Sequence, residues 1–324
     1  MDSTIEARVE DDVDPEIRRF VEALNHGYGQ FSDFDALPLP ARRAAAETVR
    51  ERWRAGGPVM AETVDTVVAG CRTRFHYPVA RDGSAPLPAM LYIHGGGWTM
   101  FSIDTHDRLM REYAARANVV VVGIDYSLSP EALYPAALDE VVEACRTLRA
   151  QADAFGIAAD TLAIGGDSAG ANLSVAACLR LRGAGEPLPQ AMLLNYGAFD
   201  AAPTSSYARY DGPAYMLTVA EMDRFWANYV GDAGSLADPL VAPLRADLTG
   251  LPASFLAIAA CDILADANHE MAARLDAAGV PVEARVYDGA THSFLEAASI
   301  SRLADRALDD AAQWLAARLH GKAA

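Results

Sequence analysis

Short apolar runs alternate with helix-like stretches along most of this 324-residue chain. Runs at 63–69, 73–79, 88–94, 119–125, 161–165, 191–196, 254–260 and 282–287 read as strands, several of them apolar throughout, as strands buried on both faces are. Residues 15–25 and 40–54 carry apolar positions at helical spacing, separated by a Gly-, Asp- and Phe-rich loop from His26 to Asp35. Further helices are expected at 106–117, 137–154, 169–183, 265–278 and 299–319. Alternation of this kind predicts an α/β fold: a mostly parallel eight-stranded sheet with helices on both faces and an antiparallel edge formed by its first two strands. The stretch between Tyr196 and Ser254 is longer than a crossover needs. Its excess, 199–239, and the first 57 residues are therefore candidates for the two parts of a helical cap. The remainder, from 58 to 324, is the expected α/β catalytic domain.

Composition narrows the partners. A formal charge of −17 lacks the basic patches that nucleic acid requires and disfavours an anionic membrane surface. Hydrophobic content of 52% suffices for a large core, yet no 18-residue apolar run suggests a membrane span. The segment Met1 to Glu16 is acidic and lacks the basic and apolar regions of a secretory signal. Cys71, Cys145, Cys178 and Cys261 are widely spaced and are expected to be reduced and buried, as in a cytoplasmic protein. No His, Cys or carboxylate cluster has metal-ligand spacing, so no metal and no cofactor is expected. Oligomeric state stays open, with a homodimer the general expectation for a soluble enzyme.

The candidate chemistry begins at Gly166-Asp167-Ser168-Ala169-Gly170, between the apolar Leu162-Ala163-Ile164 and a helix-forming run. A serine on a sharp strand-to-helix turn projects its Oγ out of the fold, and small flanking residues leave room for it. The plain alternative is a serine capping a Gly-rich helix start. Upstream, His94-Gly95-Gly96-Gly97-Trp98 follows another strand. Ordering three glycines is costly, so bare N–H groups must be needed. Aimed at an oxyanion, the amides of Gly96, Gly97 and Ala169 would stabilise a tetrahedral intermediate. A phosphate cradle is disfavoured because no Lys-Ser/Thr pair follows and no Gly-x-Gly-x-x-Gly is present here.

A nucleophilic serine needs a base and an orienting carboxylate. Of the seven histidines, His292 follows a late strand and Asp262 ends another, where ligands bind in parallel sheets. Asp262 also suits a helix N-cap. The order Ser168, Asp262, His292 is that of the α/β-hydrolases. His94 and His106 are expected to shape loops, His269 to lie on a helix, and His26, His76 and His320 to pack or face solvent. Should Asp262 not serve, Asp266 is the next carboxylate. Pocket contacts are expected from Phe31, Phe34, Trp98, Met216 and Leu264.

These motifs together resemble the hormone-sensitive-lipase-like branch of the α/β-hydrolases, the bacterial family IV esterases. The resemblance rests on His94-Gly-Gly-Gly97, Gly166-Asp-Ser-Ala-Gly170, Asp262-x-Leu264 and His292-x-Phe294, in that order. Asp125-Tyr-Ser-Leu-Ser-Pro-Glu131 with Tyr134-Pro-Ala136 is similar to the family's Tyr-Arg-Leu-Ala-Pro-Glu segment, in a variant nearest that of cytoplasmic acetyl esterases. Thr105-His106-Asp107 with Arg111 is a further likeness. The chain departs from the family at Ser127, where Arg is common, and at Ala267, where Glu is common. The resemblance implies a carboxylic-ester hydrolase acting on short-acyl, small-molecule esters by a Ser-His-Asp acyl-enzyme route, beneath a two-part cap. An amide-directed hydrolase, such as an aryl-formamide hydrolase, would use the same residues. A non-catalytic binding or regulatory protein on this scaffold is disfavoured by the presence of His292.

Overall fold

The computed structural model describes residues 12–81, 85–232 and 234–321. Most of the acidic N-terminal segment, 1–11, lies outside the described residues. Eight strands form one sheet: β1 (Glu62–Val68), β2 (Cys71–Tyr77), β3 (Leu87–Ile93), β4 (Val120–Ile124), β5 (Ile157–Asp167), β6 (Ala191–Asn195), β7 (Ala253–Cys261) and β8 (Val282–Thr291). Their spatial order is β1-β2-β4-β3-β5-β6-β7-β8. β1 and β2 pair antiparallel, as do β2 and β4, and every pairing from β4 to β8 is parallel. The antiparallel edge and the parallel body are those expected from the hydrophobic pattern.

Continuous burial marks the centre of the sheet. Every residue of β4 and β6 is buried, whereas the edge strands β1 and β8 alternate or stay partly open. Helices α1 (Pro15–Tyr28), α2 (Leu39–Arg54), α3 (Asp107–Ala117), α4 (Ala136–Ala150), α5 (Ala169–Gly183), α6 (Ser205–Tyr210), α7 (Val219–Val230), α8 (Ala265–Ala277) and α9 (Arg302–Leu319) complete the described fold. α5 is buried nearly all round, and its run of Ala, Gly and Ser lets it sit close to β3, β5 and β6. Boundaries differ from expectation where side chains hide the backbone's course. β5 starts at Ile157, which pairs with Leu87, and the mostly small or polar Ala158-Ala-Asp-Thr161 that follows, where the register with β3 shifts, hides the strand's start from the apolar pattern. α4 stops at Ala150, and a separate helical turn, Ala152–Phe155, ends at Gly156 with φ +65°. α9 begins at Arg302, capped by Ser301, after a 3₁₀ stretch over Phe294–Ser299.

The N-terminal helices join the far end of the chain. Asp14 caps α1 through Glu16 N at 2.8 Å and Ile17 N at 3.2 Å, with Pro15 opening the helix. Its apolar stripe, Ile17, Phe20, Val21 and Leu24, is buried. Asp14 N donates to Gly289 O (3.0 Å), and Arg302 N donates to the Glu16 carboxylate (2.8 Å).

Candidate active site

β5 delivers Ser168 to the carboxyl edge of the sheet, and α5 starts one residue later. Ser168 holds φ 53°, ψ −117°, a strained backbone for a side-chain-bearing residue. Its N–H donates to Asn195 O at 2.9 Å, which ties the turn to β6. A Cβ at Gly166 or at Gly170 would collide with the carbonyl oxygen of Ile93. The two glycines are therefore required by the close approach of β3 to the turn.

Ser168 meets residues from two later strand ends. Its hydroxyl donates to His292 Nε2 (3.0 Å), and His292 Nδ1–H donates to Asp262 Oδ2 (2.7 Å). All three are buried, Asp262 the most deeply. The other Asp262 oxygen accepts Leu264 N–H at 2.9 Å, so the carboxylate is fixed just ahead of α8. The Tyr196 ring packs edge-on to His292 with centroids 5.1 Å apart. Asp266, the alternative carboxylate, is engaged elsewhere: it accepts from Ser205 Oγ (2.6 Å) and Ser206 N (2.9 Å).

The glycine segment lies beside Ser168. Gly96 has φ +112°, a conformation open to glycine, and a Cβ at Gly97 would enter the Phe225 ring. The N–H groups of Gly96 and Gly97 donate to no backbone acceptor among the described residues. Ala169 opens α5, where amides have no partner within the helix. Asp167 braces the segment from below. Its carboxylate is buried and accepts Gly95 N–H (3.1 Å), Tyr92 O–H (2.7 Å) and His106 Nε2–H (3.3 Å). Burial opposes the charge on each partner, yet mutual attraction wins: Asp167 sits below the usual carboxylate range and His106 above the usual imidazole value. His94 stacks on Tyr126 (4.4 Å), and its Nδ1–H donates to Gly95 O (2.7 Å). Burial, together with the neighbouring His106 cation, pushes His94 down to about 4, so it is neutral.

A cavity of about 810 Å³ opens over Ser168, Gly96, Gly97 and His292. Phe31, Phe34 and Met216 line it. Trp98 and Leu264 do not, and both are 0% exposed. Trp98 follows the glycines with φ +56°, a backbone turn after which its ring lies on Tyr229 (4.3 Å) and Trp226 (4.5 Å) in the core. Leu264 precedes α8 and packs into the core. Sequence reasoning missed Arg50, Tyr28 and Glu296 on the cavity wall. Glu296 carried a signal, its four-residue spacing from His292. Arg50 carried none, since α2 is rich in arginine.

A parallel sheet presenting a serine elbow and a His–Asp pair at its strand ends is the arrangement of an α/β hydrolase. A family model described as the alpha/beta hydrolase fold matches residues 90–296, and the chain belongs to that family, in its hormone-sensitive-lipase-like branch. Among solved structures, a serine-to-alanine mutant of an α/β-hydrolase enzyme from the metagenome of Lake Arreo, Spain, is 33% identical, with 95% of this chain and 98% of that one covered and a TM-score of 0.89. A hyperthermophilic esterase from the archaeon Pyrobaculum calidifontis is 29% identical over 94% and 98% of the two chains, with a TM-score of 0.88. A thermophilic, thermostable carboxylesterase cloned from a metagenomic library is 31% identical over 88% and 98%, with a TM-score of 0.83.

Proposed function

We propose that the protein hydrolyses carboxylic esters of small molecules through a covalent acyl-serine. The observation that carries this reading is the hydrogen-bonded series Ser168–His292–Asp262, whose Ser168 and His292 line the 810 Å³ cavity. His292 Nε2 takes the Ser168 proton as Oγ adds to the ester carbonyl. Asp262 holds the tautomer that leaves Nε2 free to accept, and it stabilises the imidazolium that forms. The amides of Gly96, Gly97 and Ala169 receive the oxyanion; preorganised donors of this kind are worth about 3–4 kcal/mol each to the transition state. His292 returns the proton to the leaving alcohol, then activates the water that releases the acid. Tyr196 limits rotation of the imidazole from its edge.

The first 57 residues and 199–239 act as the two-part cap. Support comes from the cavity lining, to which the first segment contributes Tyr28, Phe31, Phe34 and Arg50 and the second Met216 and Phe225. Short acyl groups sit against Ser168, and the aromatic remainder of the cavity takes a larger alcohol. Four free, buried cysteines favour a reducing compartment such as the cytoplasm. No described helix is long and apolar enough to cross a membrane.

Initial rates on p-nitrophenyl esters from acetyl to palmitoyl, with Ser168→Ala as control, test the reading. Activity highest on the short esters, and reduced about 10⁴-fold or more in the variant, is expected. Comparable turnover by the variant would refute the nucleophile assignment.

A further inference from the structure

A buried ion pair on the cavity wall is not used by the hydrolytic residues. Arg50 comes from α2, and Glu296 lies four residues beyond His292; their side chains are 3% and 5% exposed. Arg50 Nη1 donates to Glu296 Oε1. The same guanidinium lies over the Phe101 ring at 4.0 Å and donates from Nε to the Tyr28 hydroxyl at 3.3 Å. Tyr28 ends α1, Phe101 closes the loop that starts at Gly96, and Glu296 belongs to the turn after His292. All four residues line the cavity. One side chain thus joins three separate stretches of the wall.

Stability alone does not call for charge here. An apolar pair of similar volume is often at least as stabilising as a buried ion pair. A planar guanidinium offers direction instead: a fixed fork toward a carboxylate and a flat face toward an aromatic ring. Burial opposes the Arg50 charge, but Glu296 and then Tyr28 more than offset it and raise its pKa. The nearby His106 and Asp167 are committed to each other, so they do not substitute for either partner.

We infer that Arg50 is a positioning residue for ester hydrolysis. Through Glu296 and Phe101 it holds the His292 turn and the glycine segment in register across the cavity, and so makes α2 a working part of the site. The inference rests on the reading of Ser168 and His292 given above. A registry device acts on the transition state more than on a small bound substrate, so it affects kcat before KM.

The test compares wild type, Ser168→Ala, Arg50→Lys and the double variant Arg50→Met/Glu296→Met, which leaves no lone buried charge. Thermal midpoint, kcat and KM on p-nitrophenyl acetate are measured for each. The double variant is expected to unfold within a few degrees of wild type, keep KM within about twofold and lose kcat by about tenfold or more. Arg50→Lys, which keeps a charge opposite Glu296 but lacks the fork and the flat face, should fall between. Wild-type kcat in a folded double variant overturns the inference. Should the double variant not fold, wild-type kcat in Arg50→Lys overturns it and a reduced kcat at unchanged KM upholds it. An inactive wild type, or one no faster than Ser168→Ala, rejects the ester reading and the positioning role together.

Discussion

Replacing His106 with Gln would remove the cation beneath the nucleophile while keeping a hydrogen-bond donor near Asp167. At the observed 3.3 Å, opposite charges attract by roughly 5 kcal/mol in an effective dielectric of about 20. The lost partner leaves Asp167 buried with Tyr92 O–H and Gly95 N–H. Breaking buried pairs from one side costs about 3–5 kcal/mol. Because Gln still donates, about 3 kcal/mol is expected near pH 6. The pH dependence fixes the cause. His106 is raised, so its contribution is complete below the unfolded value of about 6.5 and fades as pH climbs through the folded one. Asp167 is depressed, so its contribution is present above the unfolded carboxylate value and fades as pH falls through the folded one. The stability gap between wild type and His106→Gln should therefore be widest near pH 6 and narrow toward pH 9. Urea unfolding followed by tryptophan fluorescence at several pH values reads it directly. A gap that stays constant or widens with pH would refute the charged-pair account and leave only packing.

Asp262→Asn should lower kcat by about 10⁴ with little change in unfolding midpoint, because the amide favours the wrong imidazole tautomer. A loss of less than tenfold in p-nitrophenyl ester turnover would point to another carboxylate. Gly170→Ala places a methyl group on the Ile93 carbonyl and should destabilise the fold by about 1–3 kcal/mol or more, with kcat falling as β3 shifts; unchanged denaturant and kinetic curves would contradict the contact. Trp98→Ala should cost about 3–5 kcal/mol by denaturant titration yet leave the acyl-length profile in place, since the ring faces Trp226 and Tyr229 rather than substrate. A changed profile would return Trp98 to the cavity wall.

The sheet was legible in the sequence because central strands announce themselves as apolar runs, β4 along its whole length and β6 up to its final Asn195. The elbow was legible because it is local: five consecutive residues contain the strand end, the strained serine and both glycines. His292 and Asp262 were reachable through their places at strand ends. The ion pair in the wall of the cavity was not. Arg50 and Glu296 are 246 residues apart, and neither residue type nor spacing announces their pairing. Trp98 misleads for the opposite reason. Its position beside the glycines suggests the pocket, but the positive φ that follows them places its ring in the core. Ser127, where the family commonly has Arg, finds its own role by binding Glu140 through both N–H and O–H at 2.6 Å.

The docking of α1 onto the far end of the chain has a consequence for synthesis. Glu16 waits for Arg302, 286 residues downstream, to leave the ribosome. At about 5–20 residues per second, that delay is roughly 15–60 s. Throughout it, the apolar stripe Ile17, Phe20, Val21 and Leu24 is covered only in part, by α2 through Trp53 against Phe20 (4.7 Å). The first of the described helices is thus among the last to be fully covered, and deleting either Asp14–Glu16 or the segment from Arg302 onward would break the same joint.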